Sequence, residues 1–383
     1  MRKLLQLILI SFIVVLPQYI LAQDRKPKVA VVLSGGGAKG IAHIPFLQAL
    51  DSLGIVPDLV VGTSMGSIVG GLYAMGYSGD SIANITDNAN WDHLLSKYIA
   101  LTEVSVEEKS EFNKYLVGLD FTEGKLKVNS ALVKDQNLRL FLSTLTYPAY
   151  KIKNFDNLSI PYRAIATDIV HGKEVIIAEG SLMEAMRASM SIPGIFKPAI
   201  YKKTLLIDGG VLNNFPTDIA QNMGADIIIG SDVSGGMEPI EKLDNIPNLL
   251  FQAGMLASNI KNPENQKRCD ILIDHEPYMT YSTGDFSKSN EIYKEGKIAL
   301  LEKMDALVDL AEKLKDYPKR THKLPYVAKE SIIDTIIYKG ISKANLELVK
   351  ARTNIQRSKK YTVETLLAGV NRAMATNIFS EIT

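Results

Sequence analysis

Disulfide chemistry is absent from this chain. Its 383 residues include one cysteine, Cys269, which leads into Asp270-Ile271-Leu272-Ile273 and reads as a core or strand-end residue. An excess of charge of either sign is missing too. Forty-three Lys and Arg face 42 Asp and Glu, and a net charge of +1 argues against an electrostatic grip on nucleic acid. No His, Cys, Asp and Glu cluster has metal-ligand spacing, so neither a metal nor another cofactor is expected. Long apolar runs are scarce. The run from Leu4 to Leu16 is short for a membrane span of about 20 residues, and Gln6 and Ser11 interrupt it. Arg2 and Lys3 precede this run, and Pro17 and a small-residue site at Ala22 follow, the layout of a secretory signal peptide over residues 1–22. No cysteine stands at the cleavage point to carry a lipid anchor. Export of the mature protein is therefore expected.

What is present begins with Gly62-Thr63-Ser64-Met65-Gly66, between the apolar run Leu59-Val60-Val61 and a helix-like stretch from Ser67 to Met75. A serine on a sharp strand-to-helix turn has its hydroxyl pushed outward, and flanking glycines remove the Cβ atoms that would clash there. Helix N-terminal N–H groups then surround the oxygen.

Upstream, Val29-Ala30-Val31-Val32-Leu33 runs into Ser34-Gly35-Gly36-Gly37-Ala38-Lys39-Gly40, followed by a helical pattern through Leu53. Formally this matches Gly-x-Gly-x-x-Gly. A dinucleotide site also needs an acid at the end of the second strand, and Asp58 precedes its strand, so its carboxylate should point away from the phosphate crevice. A Walker loop fails because Gly40 follows Lys39 where Ser or Thr must bind magnesium. Consecutive glycines suit a loop whose bare N–H groups stabilise an oxyanion, and a turn without chemistry is the plainer alternative.

Leu205-Leu206-Ile207-Asp208-Gly209-Gly210 closes an apolar strand with an acid. That acid could cap a turn, but a serine nucleophile needs a base and no histidine has convincing surroundings. His43 lies on the helix after the glycine loop, His93 beside the single tryptophan Trp91, and His171 in the hairpin-like Val170-His171-Gly172-Lys173. His275 and His322 fall in the later, charge-rich part. An aspartate at a strand end, uncrowded by Gly209 and Gly210, can take the serine proton directly.

These blocks, in this order, resemble the signatures of patatin-like phospholipases: Gly35 to Gly40, Gly62 to Gly66, and Asp208-Gly209-Gly210. Ala188-Ser189-Met190-Ser191-Ile192-Pro193-Gly194-Ile195-Phe196-Lys197-Pro198 resembles the same family, and the likeness runs from about Lys28 to Lys315, including Gly284-Asp285-Phe286 and Gly296. The resemblance implies a three-layer α/β/α sandwich on a mainly parallel sheet, and acyl-ester hydrolysis, commonly of lipids. Carried over by position, Ser64 is the nucleophile, Asp208 the general base, and the backbone of Gly35, Gly36 and Gly37 the oxyanion hole. Lys39, Gly40, Gly62, Gly66, Gly209 and Gly210 support the motifs.

Apolar content of 46% allows one large core and a small second domain. Strands are expected at Val29 to Leu33, Leu59 to Val61, Tyr162 to Asp168, Leu205 to Ile207, Ile227 to Asp232 and Ile271 to Asp274, alternating with helices. Residues 91–150 read as an insertion over one end of the sheet, where a lid or acyl pocket could form. Ile298 to Leu314 has the spacing of one amphipathic helix, and residues 316–328 read as a charged, proline-bounded, solvated linker. Beyond it, Ile332 to Gly340 reads as a strand followed by helices at Lys343 to Ala351 and Thr362 to Ala375. That segment, 329–383, resembles the opening of a POTRA domain, a small and here incomplete α+β module. The resemblance implies covalent continuation into an outer-membrane barrel, with the enzyme at the outer membrane, cell surface or periplasm of a Gram-negative-type bacterium. The hydrolase domain is expected over 28–315. The expected partners are a phospholipid or other acyl ester and a membrane surface, with no nucleic acid. The alternative function is a catalytically silent scaffold or accessory module of an outer-membrane barrel protein.

Overall fold

The structure, a computed structural model, describes residues 25–95, 119–122, 125–128, 135–244, 246–376, 379 and 382. The signal-peptide segment and much of the insertion expected over 91–150 lie outside these residues.

Eight strands form the central sheet: β1 Val29–Leu33, β2 Leu59–Thr63, β3 Tyr162–Asp168, β4 Lys173–Ile177, β5 Ala199–Tyr201, β6 Thr204–Asp208, β7 Ile227–Asp232 and β8 Ile271–Asp274. Their order is β8-β7-β1-β2-β3-β6-β5, with β4 also paired to β3. From β8 to β3 all neighbours are parallel, and β4 and β6 lie antiparallel to β3. Both faces of the parallel part are buried, which is why its strands read as continuous apolar runs rather than alternating ones. Val29, Val31, Leu33 and Val60 pack into the larger core with the helices His43–Leu53 and Met65–Met75. Ala30, Val32, Leu59 and Val61 pack on the other face with Phe215 and Ile219. The result is an α/β fold in three layers, with a mainly parallel sheet packed on both faces.

One register detail positions the candidate site. Thr63 of β2 pairs with Ile165, and Asp208 of β6 pairs with Ala166, the next residue along β3. Because β4 occupies the other edge of β3, β2 and β6 share one edge and run toward each other along it. Their C-terminal ends meet.

Several expectations are corrected. The elbow helix starts at Met65 rather than Ser67. Ile298 to Leu314 is not one helix: Ser289–Leu301 and Met304–Leu314 are separated at Glu302 and Lys303. The solvated linker is strapped to the domain, since the Thr321 carbonyl accepts from Ser159, the Lys323 N–H donates to Ser159, and His322 Nε2 lies 2.7 Å from the Tyr73 carbonyl. Ile332 to Gly340 is not a strand. Ser331–Ile332 pairs with Lys360–Tyr361, and Ile333 adds backbone hydrogen bonds to Lys359 and Ser358, before helices Lys343–Thr353 and Val363–Met374 flank the second of these strands.

Candidate active site

Ser64 sits between β2 and the helix Met65–Met75 with φ 52° and ψ −123°, a left-handed backbone that non-glycine residues rarely adopt. Close packing holds it there. A Cβ on Gly62 would lie 2.4 Å from the Gly66 carbonyl oxygen, and one on Gly66 2.4 Å from that of Leu33. Neither position has room for a side chain, so the elbow's two glycines follow from backbone contact across the turn.

The head-to-head meeting of β2 and β6 brings the Ser64 hydroxyl to the Asp208 carboxylate, with Oγ donating to Oδ2 at 2.6 Å. The Gly210 N–H donates to Oδ1 at 2.7 Å and fixes the other oxygen. Both residues are 5% exposed. Burial pushes the Asp208 carboxyl up to about 6, against the hydrogen bonds from Ser64 and Gly210 that favour its charge. A carboxylate of that basicity, in contact with a hydroxyl, can act as its proton acceptor near neutral pH.

The glycine loop lies at the C-terminal end of β1, ahead of the short 3-10 turn Gly37–Ala42 and the helix His43–Leu53. The Gly35 N–H already donates to the Asn214 carbonyl at 3.1 Å, which corrects its expected place among the oxyanion donors. Gly35 is glycine for another reason: its Cβ would lie 2.4 Å from Asn214 Oδ1 and 3.0 Å from Ser64 Cβ. Among the described residues, the N–H groups of Gly36 and Gly37 have no hydrogen-bond acceptor. Gly37 has φ 55°, and the Lys39 N–H closes the turn onto the Gly36 carbonyl at 3.1 Å. Gly40 leaves room for Met65, whose Cγ would stand 2.4 Å from a Cβ there, and Gly209 leaves room for the Ile165 carbonyl at 2.3 Å.

Residues to which the sequence gave no role complete the frame. Ser189 Oγ accepts the Ser64 N–H at 2.9 Å and donates to the Ile165 carbonyl at 2.5 Å, while the Ser191 carbonyl accepts the Asp208 N–H at 3.0 Å. Behind them the fully buried Arg187 donates to Ser191 Oγ at 2.6 Å, to Asp135 Oδ2 at 2.5 Å and to the Lys197 carbonyl at 3.1 Å. Burial works to raise the Asp135 carboxyl, but ion pairs with Arg187 and Arg139 prevail and hold it below its ordinary value. Ser189 and Ser191 stand in the Ala188 to Pro198 block. The block is legible in the sequence, but only tertiary contact shows which atoms its serines hold.

The histidines belong elsewhere. His43 Nδ1 and His275 Nε2 both bond Ser231 Oγ, at 2.8 and 2.9 Å, and His171 Nδ1 bonds Asp168 at 2.8 Å. Asp58 accepts from Val29 N–H and Lys26 at the entry of β1 and β2, roughly 16 Å of strand away from the glycine loop, so it is on the wrong end to hold a ribose. Among the described residues no three His, Cys, Asp or Glu side chains are grouped to hold a metal ion.

Residues 31–221 match the patatin-like phospholipase family. Lysophospholipase NTE1 of Scheffersomyces stipitis is 28% identical over 78% of this chain and 19% of its own length. The human patatin-like phospholipase domain-containing protein 6 is 33% identical over 70% of this chain and 20% of its own. The chain thus spans about a fifth of the length of these relatives. The crystal structure of VipD from Legionella pneumophila superposes on 74% of this chain and 67% of its own with a TM-score of 0.41 and 16% identity, too loose a likeness to support anything further.

Proposed function

We propose that this chain, whose residues 31–221 form a patatin-like phospholipase domain, is a serine hydrolase of lipid acyl esters working through Ser64 and Asp208. One observation carries the reading: the 2.6 Å hydrogen bond from a strained serine hydroxyl to a buried, raised-pKa carboxylate. Asp208 takes the hydroxyl proton as Ser64 Oγ attacks the ester carbonyl. The tetrahedral oxyanion is met by the N–H groups of Gly36 and Gly37, which have no acceptor among the described residues and so are free to stabilise the developing charge. Collapse expels the alcohol, which receives the proton from Asp208, and leaves an acyl-Ser64 ester. Asp208 then deprotonates water for the second attack, and the fatty acid leaves as Ser64 recovers its proton. The dyad needs no histidine because the carboxylate touches the hydroxyl directly.

The same proposal includes export, supported by the signal-peptide pattern over residues 1–22. Attachment to the outer membrane rests on the sequence likeness of residues 329–383 to the opening of a POTRA module, of which the fold keeps the two helices but not the strand expected over Ile332 to Gly340. Among the described residues no helix is long and apolar enough to cross a membrane. The decisive experiment incubates the protein with a fluorophosphonate probe and, separately, with mixed phospholipids and lysophospholipids. Covalent labelling at Ser64 and fatty-acid release, both lost in Ser64→Ala, are expected. Release that persists in Ser64→Ala would remove Ser64 from the mechanism.

A further inference from the structure

The helix Ile246–Gln266 is built inside out. In its C-terminal half the buried residues it turns toward the protein are polar: Ser258, Asn262 and Asn265. Asn262 donates to Asp232 and to Ser234, both at 2.9 Å, and Asn265 donates to Asn213 at 3.0 Å. Met255 packs inward, but the exposed apolar residues face the other way. Ile246, Leu249, Leu256 and Ile260, with Ala253 between, follow a spacing of three and four that draws one stripe along a helix, and the four large ones are 72%, 52%, 47% and 67% exposed. Leu250 beside them is 65% exposed. An ordinary amphipathic helix buries such a stripe, so roughly 21 Å of this one is left for something outside the described protein to cover.

The chemistry of the stripe points to what covers it. Residues 246–260 contain no Asp, Glu, Lys or Arg. A helix pairing with a second copy of itself in water carries charges beside its apolar seam, and this stretch has none to set such a pairing. Position adds a second argument. Met255, on the same helix, brings its methyl group to 2.9 Å from where a Cβ on Gly210 would stand, and Gly210 is the residue whose N–H holds Asp208. The stripe therefore runs along the outer side of an element whose inner side packs against the Asp208 turn.

We propose that the apolar stripe Ile246, Leu249, Leu250, Leu256 and Ile260 docks the protein on a lipid surface, with the helix lying in the plane of the boundary between headgroups and acyl chains. The purpose of such docking rests on the reading of Ser64 and Asp208 as a lipid acyl hydrolase: a helix lying in the surface would hold the dyad behind it within one helix diameter, roughly 10–12 Å, of the layer that holds the ester bonds.

Flotation of the full chain with phosphatidylcholine vesicles tests this without reference to catalysis. The wild type should float, and Leu249→Asp/Leu250→Asp should lower its partitioning by about tenfold or more, since two large apolar side chains become charges. Leu301→Asp, which alters a 67% exposed leucine on another helix, should float as the wild type does. Turnover of a soluble short-chain ester should be the same in all three. A fluorophore on Leu250→Cys, selective because burial pushes the Cys269 thiol up to about 12, should shift to the blue on adding vesicles. Failure of the wild type to float, equal flotation of the double variant, or a Leu301→Asp loss of the same size would overturn the proposal. So would a wild-type dimer that the double variant dissociates while neither binds vesicles. Flotation as expected with no ester turnover in any variant would uphold docking and sink the hydrolase reading instead.

Discussion

Ser64 and Asp208, 144 positions apart, meet because the strands that carry them end against each other on one edge of β3, so that the serine hydroxyl donates to the carboxylate at 2.6 Å. Neither strand could shift its register without parting the pair. Displacement by one residue along β3 moves a side chain about 3.3 Å and turns it to the opposite face.

Asp208→Asn keeps the shape of the side chain and removes its basicity. The expected loss in kcat is at least about 10²-fold, the low end for a missing general base. In the wild type the base must be ionised to act, so kcat/KM should rise with pH through an apparent pKa of about 6 and level off above it. A pH–rate profile of the free enzyme with a soluble ester checks both. A flat profile from pH 4 to 8 would contradict the role of Asp208.

In the glycine loop the two substitutions should fail for different reasons. Gly37→Ala forces alanine to φ 55° with its Cβ 2.3 Å from the Thr283 carbonyl oxygen, whereas Gly36→Ala drives its Cβ to 2.5 Å from Val233 Cγ2. Either should turn an N–H away from the developing oxyanion, at a cost of about 10² to 10³ in kcat with little change in KM. Steady-state kinetics on the folded variants decide it; unimpaired kcat in both would remove the loop from transition-state stabilisation.

Ser189 should behave as a positioning residue. Ser189→Ala leaves the buried Ser64 N–H without its acceptor, which should cost about 1–3 kcal/mol in stability and loosen the strained elbow. A fall of roughly tenfold or more in kcat is expected, with KM and the apparent pKa near 6 unchanged, because Ser189 touches Ser64 and not the Asp208 carboxylate. A shifted pH profile would mean that the serine acts on the base instead.

The buried histidines should make the fold sensitive to acid. His43 Nε2 faces the Ser34 carbonyl and must donate to it, so Nδ1 accepts from Ser231, whose oxygen in turn accepts from His275 Nε2. His275 Nδ1 is left as a buried acceptor without a partner among the described residues. Burial lowers His43 to about 4 and His275 to about 3, from an ordinary 6.5. Below pH 6.5 the unfolded chain therefore binds more protons than the folded one, and stability falls as pH drops toward these values. Asp208, with its raised pKa, contributes in the opposite sense, but it is common to both proteins in the comparison with His275→Gln. Urea denaturation should show the variant losing about 2 kcal/mol less than the wild type between pH 7 and pH 5. Equal losses would mean that His275 is not held neutral in the fold.

By itself the sequence determined the parallel strands of the core and the chemistry that their ends offer, but not the antiparallel β4 and β5, the break at Glu302 and Lys303, or the course of Ile332 to Gly340. Apolar runs mark the strands of the parallel core, and glycines flanking Ser64 and following Asp208 announce places where backbones come close. The tertiary structure alone decided which atoms meet. That Gly35 gives its N–H to Asn214, while those of Gly36 and Gly37 have no acceptor among the described residues, depends on a contact across 179 positions that no local pattern encodes. Ser189 behind Ser64, and Arg187 behind Ser191, are likewise polar residues whose roles come from what packs against them. The outward apolar stripe of Ile246–Gln266 reverses the reading that periodicity favours. The spacing of apolar residues tells that a helix has two faces, but which face turns inward was set by Asp232, Ser234 and Asn213, buried polar groups that required Asn262 and Asn265 as partners.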